Sequence, residues 1–207
     1  MTQTVQKIIS EHSFIMPGFA TMEENTLLTT IEQIEAQAPF RQMSTPRGFK
    51  MAAQMTNCGD WGWVTDRRGY RYQQTDPETG RAWPELPDSF KQLAQKAASL
   101  CGFDGFEPDV CLINRYQPGA GMGLHQDKDE KDFSAPIVSV SLGVPAIFLF
   151  GGHERRDKPE HYLLQHGDVV VWGNHDRLRF HGIQPVKLAH HPLTGQYRYN
   201  LTFRRAF

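Results

Sequence analysis

Several absences narrow the field before any motif is considered. No apolar run approaches the ~20 residues that a helix needs to cross a bilayer, so a helical membrane anchor is excluded. Cysteine is scarce: Cys58, Cys101 and Cys111 are odd in number and show no C-x-x-C spacing. That argues against a disulfide scaffold or a thiolate zinc site and suits a reducing cytosol, where the three should pack as small apolar groups. The stretch 1–13 mixes acid and base and has no signal-peptide apolar core, so the expected compartment is the cytoplasm, without a membrane partner. Charge of one sign is also missing. Lys and Arg total 22 against 23 Asp and Glu, for a net charge of −1, which excludes a globally basic nucleic-acid coat. No internal repeat or low-complexity tract interrupts the 207 residues, which suit one domain with a short extension.

What is present is unevenly placed. Residues 41–81 hold seven Lys/Arg against four Asp/Glu, together with Phe49, Trp61, Trp63, Tyr70 and Tyr72. A local basic-aromatic surface fits transient contact with nucleic acid better than a permanent grip. Leu27, Leu28, Ile31, Ile34 and Ala38 recur near helical spacing, so a helix is expected over 23–38, ended by Pro39. A second is expected over 88–101, with Phe90, Leu93, Ala97 and Leu100 on one face and Gly102 after it. Beyond residue 110 short strands divided by turns are expected at 111–117, 136–142, 145–150, 161–165, 168–172, 180–184 and 197–204. Helices first and strands afterwards predict an α+β chain with a sandwich or barrel core. The 40–85 region, rich in Gly and Pro, reads as a loop-and-hairpin cover.

The chemistry concentrates at His125-Gln126-Asp127, with His181 further on. Residues two apart on a strand point to the same side, so one short segment can supply two ligands and a later strand a third. Two histidines and one carboxylate leave open positions on a metal and suit non-haem Fe(II) oxygen chemistry. The motif alone is weak, since nine His and twelve Asp in 207 residues give about half a His-x-Asp match by chance. A second match, His166-Gly167-Asp168, runs directly into Val169-Val170-Val171-Trp172 and reads as a turn feeding a buried strand.

The strand 198–204 alternates strictly: Tyr199, Leu201 and Phe203 on one face, Arg198, Asn200, Thr202 and Arg204 on the other. Its polar row either faces water or lines a polar cavity, where guanidiniums could grip carboxylates. Asn114 and Tyr116 share a face with Leu112, so polar groups enter a side that should otherwise be apolar and need partners.

These residues bring a family into view. In collinear blocks at 57–59, 111–116, 124–130, 136–150, 166–173, 181–185 and 198–204, the chain resembles the bacterial AlkB family of Fe(II)/2-oxoglutarate-dependent nucleic-acid dealkylases. The resemblance runs from about residue 40 onward and leaves the first twenty residues without an assigned role. It implies a double-stranded β-helix (jelly-roll) core over 86–207, a nucleotide-recognition lid over 41–85 and an N-terminal extension and helix over 1–40, all within one structural domain. It implies that His125, Asp127 and His181 hold iron, and that Arg204 grips the distal carboxylate of 2-oxoglutarate. Arg198, Asn114, Tyr116 and Asn200 would make its other contacts. Trp63 and His125 would sandwich the damaged base, Asp129 would lie at its edge, and Tyr70, Thr45 and Arg155 would lie near the phosphates. One departure stands out: Gly119, Gly121 and Gly123 leave the segment before His125 without a basic residue.

The implied chemistry consumes O2 and 2-oxoglutarate, yields succinate and CO2, and hydroxylates an N-methyl carbon, whose hemiaminal collapses to formaldehyde and the restored base. Bases such as 1-methyladenine and 3-methylcytosine carry a positive charge, which suits stacking on Trp63 and a nearby carboxylate such as Asp129. A methylated base must leave the stack to reach iron, so the expected partner is single-stranded or locally opened DNA, or RNA, acted on by a monomer. Two other functions compete. A related oxygenase of a protein or small molecule needs the same triad but no basic-aromatic lid. A cupin-type binding module without turnover has no use for the Arg198 and Arg204 clamp. Trp83 and Trp172 read as structural, His190-His191 as solvent-facing loop, and Lys131 and Asp132 as a solvated turn.

Overall fold

The alternating strand 198–204 is an interior strand of the larger sheet, and its two faces look onto different layers. The structure is a computed structural model and describes residues 6–207. In chain order the elements are β1 (Lys7–Ser10), β2 (Ser13–Met16), α1 (Glu24–Gln37), β3 (Gln54–Gly59), β4 (Gly62–Asp66), β5 (Gly69–Gln73) and α2 (Asp88–Leu100). They continue with β6 (Val110–Tyr116), β7 (Met122–His125), β8 (Ile137–Gly143), β9 (Ala146–Phe150), β10 (Glu160–Leu164), β11 (Val169–Trp172), β12 (His181–Ile183) and β13 (Arg198–Arg204).

Seven strands form a sheet in the order β1-β2-β11-β8-β13-β6-β3, four form a second in the order β10-β9-β12-β7, and β4-β5 is a separate hairpin. One face of the large sheet is apolar. Val138, Val140, Leu201, Phe203, Cys111 and Ile113 pack against the inward faces of α1 and α2. Phe90 of α2 meets Phe203 edge-on, with centroids 5.8 Å apart, an arrangement worth about 0.5–1.5 kcal/mol beyond burial. The opposite face carries the polar row and looks toward the small sheet across a cavity. The polar row of β13 therefore faces inward, not into bulk water.

Both helices and all seven strands expected after residue 110 occur, with ends within a residue or so of expectation. β7 was not among the strands expected by range, because Gly123 weakens its signal, and the strand expected to carry both His125 and Asp127 ends at His125, with Asp127 just beyond it. Within the 40–85 region the expected hairpin is β4-β5, but β3 belongs to the large sheet, paired with β6. β3 contains no Val or Ile and ends at Gly59, so it carries little β-propensity of its own; its partner strand supplies the order.

Of the first twenty residues, the described ones also have a place. β2 pairs with β11, and its surroundings converge on Asp176, whose carboxylate accepts hydrogen bonds from Ser10 Oγ (3.1 Å), the His12 amide (2.9 Å) and Ser13 Oγ (2.8 Å). Asp176→Ala should lower stability by about 2–3 kcal/mol, because buried donors lose their acceptor. Glu11→Ala, on the exposed side, should change it by less than about 0.5 kcal/mol. Urea unfolding of the two variants checks the contrast.

Candidate metal centre

β7 and β12 are adjacent antiparallel strands, and their register sets His181 opposite His125. Close approach requires Gly182, where a Cβ would meet the Met122 carbonyl oxygen at 2.6 Å. Asp127 follows β7 and turns inward. The nearest ligand atoms of His125, Asp127 and His181 all lie within 4.8 Å of one another. His125 Nε2 is 3.6 Å from Asp127 Oδ1, and His181 Nε2 is 3.7 Å from Oδ2.

Backbone carbonyls fix the tautomers. His125 Nδ1 donates to Gly123 O (2.9 Å) and His181 Nδ1 to Arg179 O (3.0 Å), which leaves both Nε2 lone pairs aimed at the common point. Burial, reinforced by His181, presses the His125 imidazole down to about 4, so it is the neutral form that faces the site. Burial pushes the Asp127 carboxyl up, but Arg204 and the two histidines hold it well below the usual carboxylate range. Two imidazoles and one carboxylate on one side of a point are the donor set of a non-haem iron oxygenase, with positions left for other ligands.

Arg204 donates to Asp127 Oδ2 from Nε (2.9 Å) and Nη2 (2.6 Å). Glu130 Oε1 lies 3.3 Å from the same Nε, and Glu130 Oε2 lies 3.3 Å from Arg177 Nη2. Arg177 Nη1 donates to the Asp127 carbonyl at 2.8 Å. Two acids and two guanidiniums thus form a buried, charge-balanced set under the metal position.

Above it lies a cavity of about 420 Å³ lined by both sheets and by the hairpin. Arg198, Asn114, Tyr116, Asn200 and Arg204 all line it. Arg198 is fully buried (0% exposed), and no described carboxylate pairs with it. Nη2 reaches Ser141 Oγ at 2.6 Å and Nε has no partner, while burial pulls the guanidinium down to about 10. A buried cation without a counter-charge is expensive unless an anion joins it. Asn114 Oδ1 and Arg204 Nη1 are likewise buried and unpartnered. Burial lifts the Tyr116 phenol to about 12, so it stays protonated and can donate. Asn200 is different: its amide is already bonded to Ser139 Oγ (2.7 Å), Val140 O (3.2 Å) and Thr202 Oγ1 (2.8 Å). The residues present fit a dicarboxylate beside a metal.

At the mouth, Trp63 stacks on Tyr70 (centroids 5.6 Å, interplanar 20°), and Trp63 Nε1 donates to Asp129 at 2.8 Å. Trp63, Tyr70, Asp129 and Arg155 share the cavity lining. Thr45 is not part of it; it caps the exposed turn ending at Phe49, whose amide donates to Thr45 Oγ1 at 3.2 Å. The His166 motif is a turn, as expected: Gly167 has φ 83°, Asp168 accepts the Gly18 and Gln165 amides (both 2.8 Å), and His166 bonds Glu24. His191 is less free than expected and stacks on His166 at 4.2 Å. Trp172 is more than structural, because it lines the cavity and meets His181 edge-on at 4.9 Å. Glu130 and Arg177 gave no signal in the sequence, since neither sits in an alternating strand. Lys131 keeps its place at the surface, its ammonium over the Phe207 ring.

The comparisons with known proteins agree with this geometry. The family model described as the 2OG-Fe(II) oxygenase superfamily matches residues 13–204. The chain is 54% identical over 201 residues to the Alpha-ketoglutarate-dependent dioxygenase AlkB of Escherichia coli (strain K12), covering 97% of this chain and 93% of that one. It is 38% identical over 208 residues to the AlkB homolog of Caulobacter vibrioides (strain NA1000 / CB15N), with the same coverage. Among solved structures, one titled "The structure of OsALKBH1" superposes with TM-score 0.85 at 27% identity, over 97% of this chain and all of that one. The chain belongs to the 2OG-Fe(II) oxygenase superfamily and, within it, to the AlkB dioxygenases. It is an Fe(II)- and 2-oxoglutarate-dependent dioxygenase, its candidate iron ligands being His125, Asp127 and His181.

Asp127→Ala would strand Arg204 in the interior, so Asp127→Asn is the cleaner variant. It should remain folded and lose Fe(II) binding, measured anaerobically by calorimetry with circular dichroism alongside. His166→Ala should still bind one equivalent of Fe(II). Equal losses in the two variants would overturn the ligand assignment.

Proposed function

We propose that this dioxygenase repairs N-alkylated bases of the 1-methyladenine and 3-methylcytosine type in DNA or RNA by oxidative demethylation, releasing formaldehyde, succinate and CO2. One observation carries the reading. A single cavity joins a His-Asp-His ligand set, an unpaired buried guanidinium and an aromatic platform backed by a carboxylate. The names of two relatives support it: one is a Nucleic acid dioxygenase of Mus musculus, another a DNA N(6)-methyladenine demethylase of Arabidopsis thaliana. In this reading the two sheets are the double-stranded β-helix of 86–207 with its N-terminal strands, and the β4-β5 hairpin is the moving part of a nucleotide-recognition lid within 41–85.

Iron, when bound with 2-oxoglutarate and O2, supplies the oxidation of the N-alkyl carbon. The chain's own groups do the rest. Arg204 is committed to Asp127, so the distal carboxylate of 2-oxoglutarate falls to Arg198, with Tyr116 as a further donor. This reverses the share that the resemblance gave to Arg204, whose remaining Nη1 is buried without a partner. Trp63 stacks on the extruded base, held in plane by Asp129, and His125 covers the other face. Asp129 also lends negative charge to a cationic lesion. Tyr70 and Arg155 lie at the rim, where phosphates would pass; Thr45 acts there only through the turn it caps. A local grip of this kind suits single strands or locally opened duplexes in the cytoplasm, by a monomer.

Formaldehyde release from a panel of methylated oligonucleotides tests the activity, and succinate without formaldehyde from any of them would overturn it. Arg198→Ala should raise the KM for 2-oxoglutarate by the equivalent of roughly 2–5 kcal/mol. Arg205→Ala, on an exposed side chain, should leave that KM unchanged. Trp63→Ala should weaken methylated-oligonucleotide binding about tenfold or more while 2-oxoglutarate affinity holds. Loss of both ligands together would make Trp63 structural.

A further inference from the structure

Glu130 is buried (6% exposed), yet it is neither in the ligand triad nor part of the cavity lining. Its position is set by three partners from different parts of the chain. Tyr72 Oη donates to Oε1 at 2.7 Å, Arg204 Nε lies 3.3 Å from the same oxygen, and Arg177 Nη2 lies 3.3 Å from Oε2. Both guanidiniums then hold Asp127: Arg204 by its carboxylate, Arg177 by its backbone carbonyl. Tyr72 belongs to β5 and lies directly opposite Trp63 in the hairpin register. A continuous path therefore runs from Trp63 across the hairpin to Tyr72, then through Glu130 and Arg204 to Asp127. The neighbouring acids do not duplicate it. Asp129 bonds Trp63 at the surface, and Asp132 only the Ser134 amide.

The charge pattern argues for geometry over stability. Well-packed apolar side chains usually fill such a space at less cost than two buried ion pairs. What the set adds is direction at its hydrogen bonds, Tyr72 to Glu130 and Arg204 to Asp127; the two Glu130–guanidinium contacts at 3.3 Å are ion pairs that add attraction.

We propose that Glu130 is a positioning residue that locks the β4-β5 hairpin to the metal centre through Tyr72, and at the same time holds Arg204 on Asp127. The registration of Trp63 over the iron position then draws on Glu130 from below, beside the direct holds of Asp129 on its indole and of Asn57 on its backbone. What the hairpin presents to iron rests on the nucleic-acid reading above; the mechanical link does not.

Tyr72→Phe, Glu130→Gln and the double variant test the link at two levels. In metal-free protein, hydrogen exchange of the amides in residues 62–73 should quicken about fivefold in Tyr72→Phe, the worth of one hydrogen bond. Its anaerobic Fe(II) affinity should stay at the wild-type value. Glu130→Gln should show the faster exchange and also lose Fe(II) affinity about tenfold. The double variant should be no worse than Glu130→Gln alone, because both changes cut one path. With a methylated oligonucleotide, formaldehyde formed per succinate should fall several-fold in each variant, as oxidation events miss a displaced base. A merely structural role would lower both products in parallel at a constant ratio, and that result would overturn the proposal. So would unchanged hairpin exchange in Tyr72→Phe. If wild-type protein gives succinate but no formaldehyde, the nucleic-acid reading fails, while the exchange and Fe(II) measurements still decide the link.

Discussion

A carboxylate gripped by a guanidinium inside the protein, Asp127 on Arg204, is the constraint around which the molecule is arranged. Neither group could be buried alone, and together they still need neighbours to satisfy what remains. Arg177 and Glu130 supply those neighbours, so the region beneath the metal position is electrically balanced before any metal arrives. Holding that set in place demands rigid strands on both sides. β13 brings Arg204 from the large sheet, and the β7-β12 pair brings the histidines from the small one. The helices have no direct part in the chemistry; they cover the apolar back of the sheet so that its front can be polar.

The two arginines of β13 show how one alternating strand creates unlike sites. Arg204 is saturated with negative charge, which raises its affinity for the proton above the ordinary guanidinium value despite burial. Arg198, six residues away on the same face, has only a hydroxyl and a carbonyl. The first stabilises a ligand of the metal. The second is an electrostatic demand that an anionic molecule answers. The difference lies in the neighbours, Asp127 at one end and Ser141 at the other.

Much of this was legible in the sequence. The alternation of β13 sorted its side chains onto two faces correctly, because period two fixes which residues share a face; that the polar face lines a cavity and not water was left open. The His-x-Asp pair and the distant histidine were readable by spacing, and the His166 turn could be told apart by the valine run that follows it. The faces of α1 and α2 followed from their apolar periodicity, except at Leu100, which the last turn of α2 leaves exposed. Other features left no local trace. β7 is four residues long with a glycine inside it and β3 has little strand propensity, so both owe their order to partner strands far along the chain. Glu130 lies among surface charges in the sequence, and only the fold removes it from water. The role of 7–16 was invisible because it acts through Asp176, which in turn steadies Arg179, whose carbonyl orients His181. Which arginine faces which end of the cosubstrate depended on where Asp127 points, a tertiary fact.

The position of β13 has a consequence for the order in which the protein can come into being. It sits between β8 and β6 in the large sheet, yet it follows every other strand of that sheet along the chain. On the ribosome, β8 and β6 emerge without the strand that joins them, and the sheet stays in two separate pieces until residues 198–204 appear. Arg198 and Arg204 arrive in that same segment. A partly made chain already carries all three candidate ligands, but it has neither the charge that steadies Asp127 nor the floor of the cavity. Assembly of the iron site is thereby tied to completion of the sheet, and redox chemistry is withheld until the fold that directs it exists.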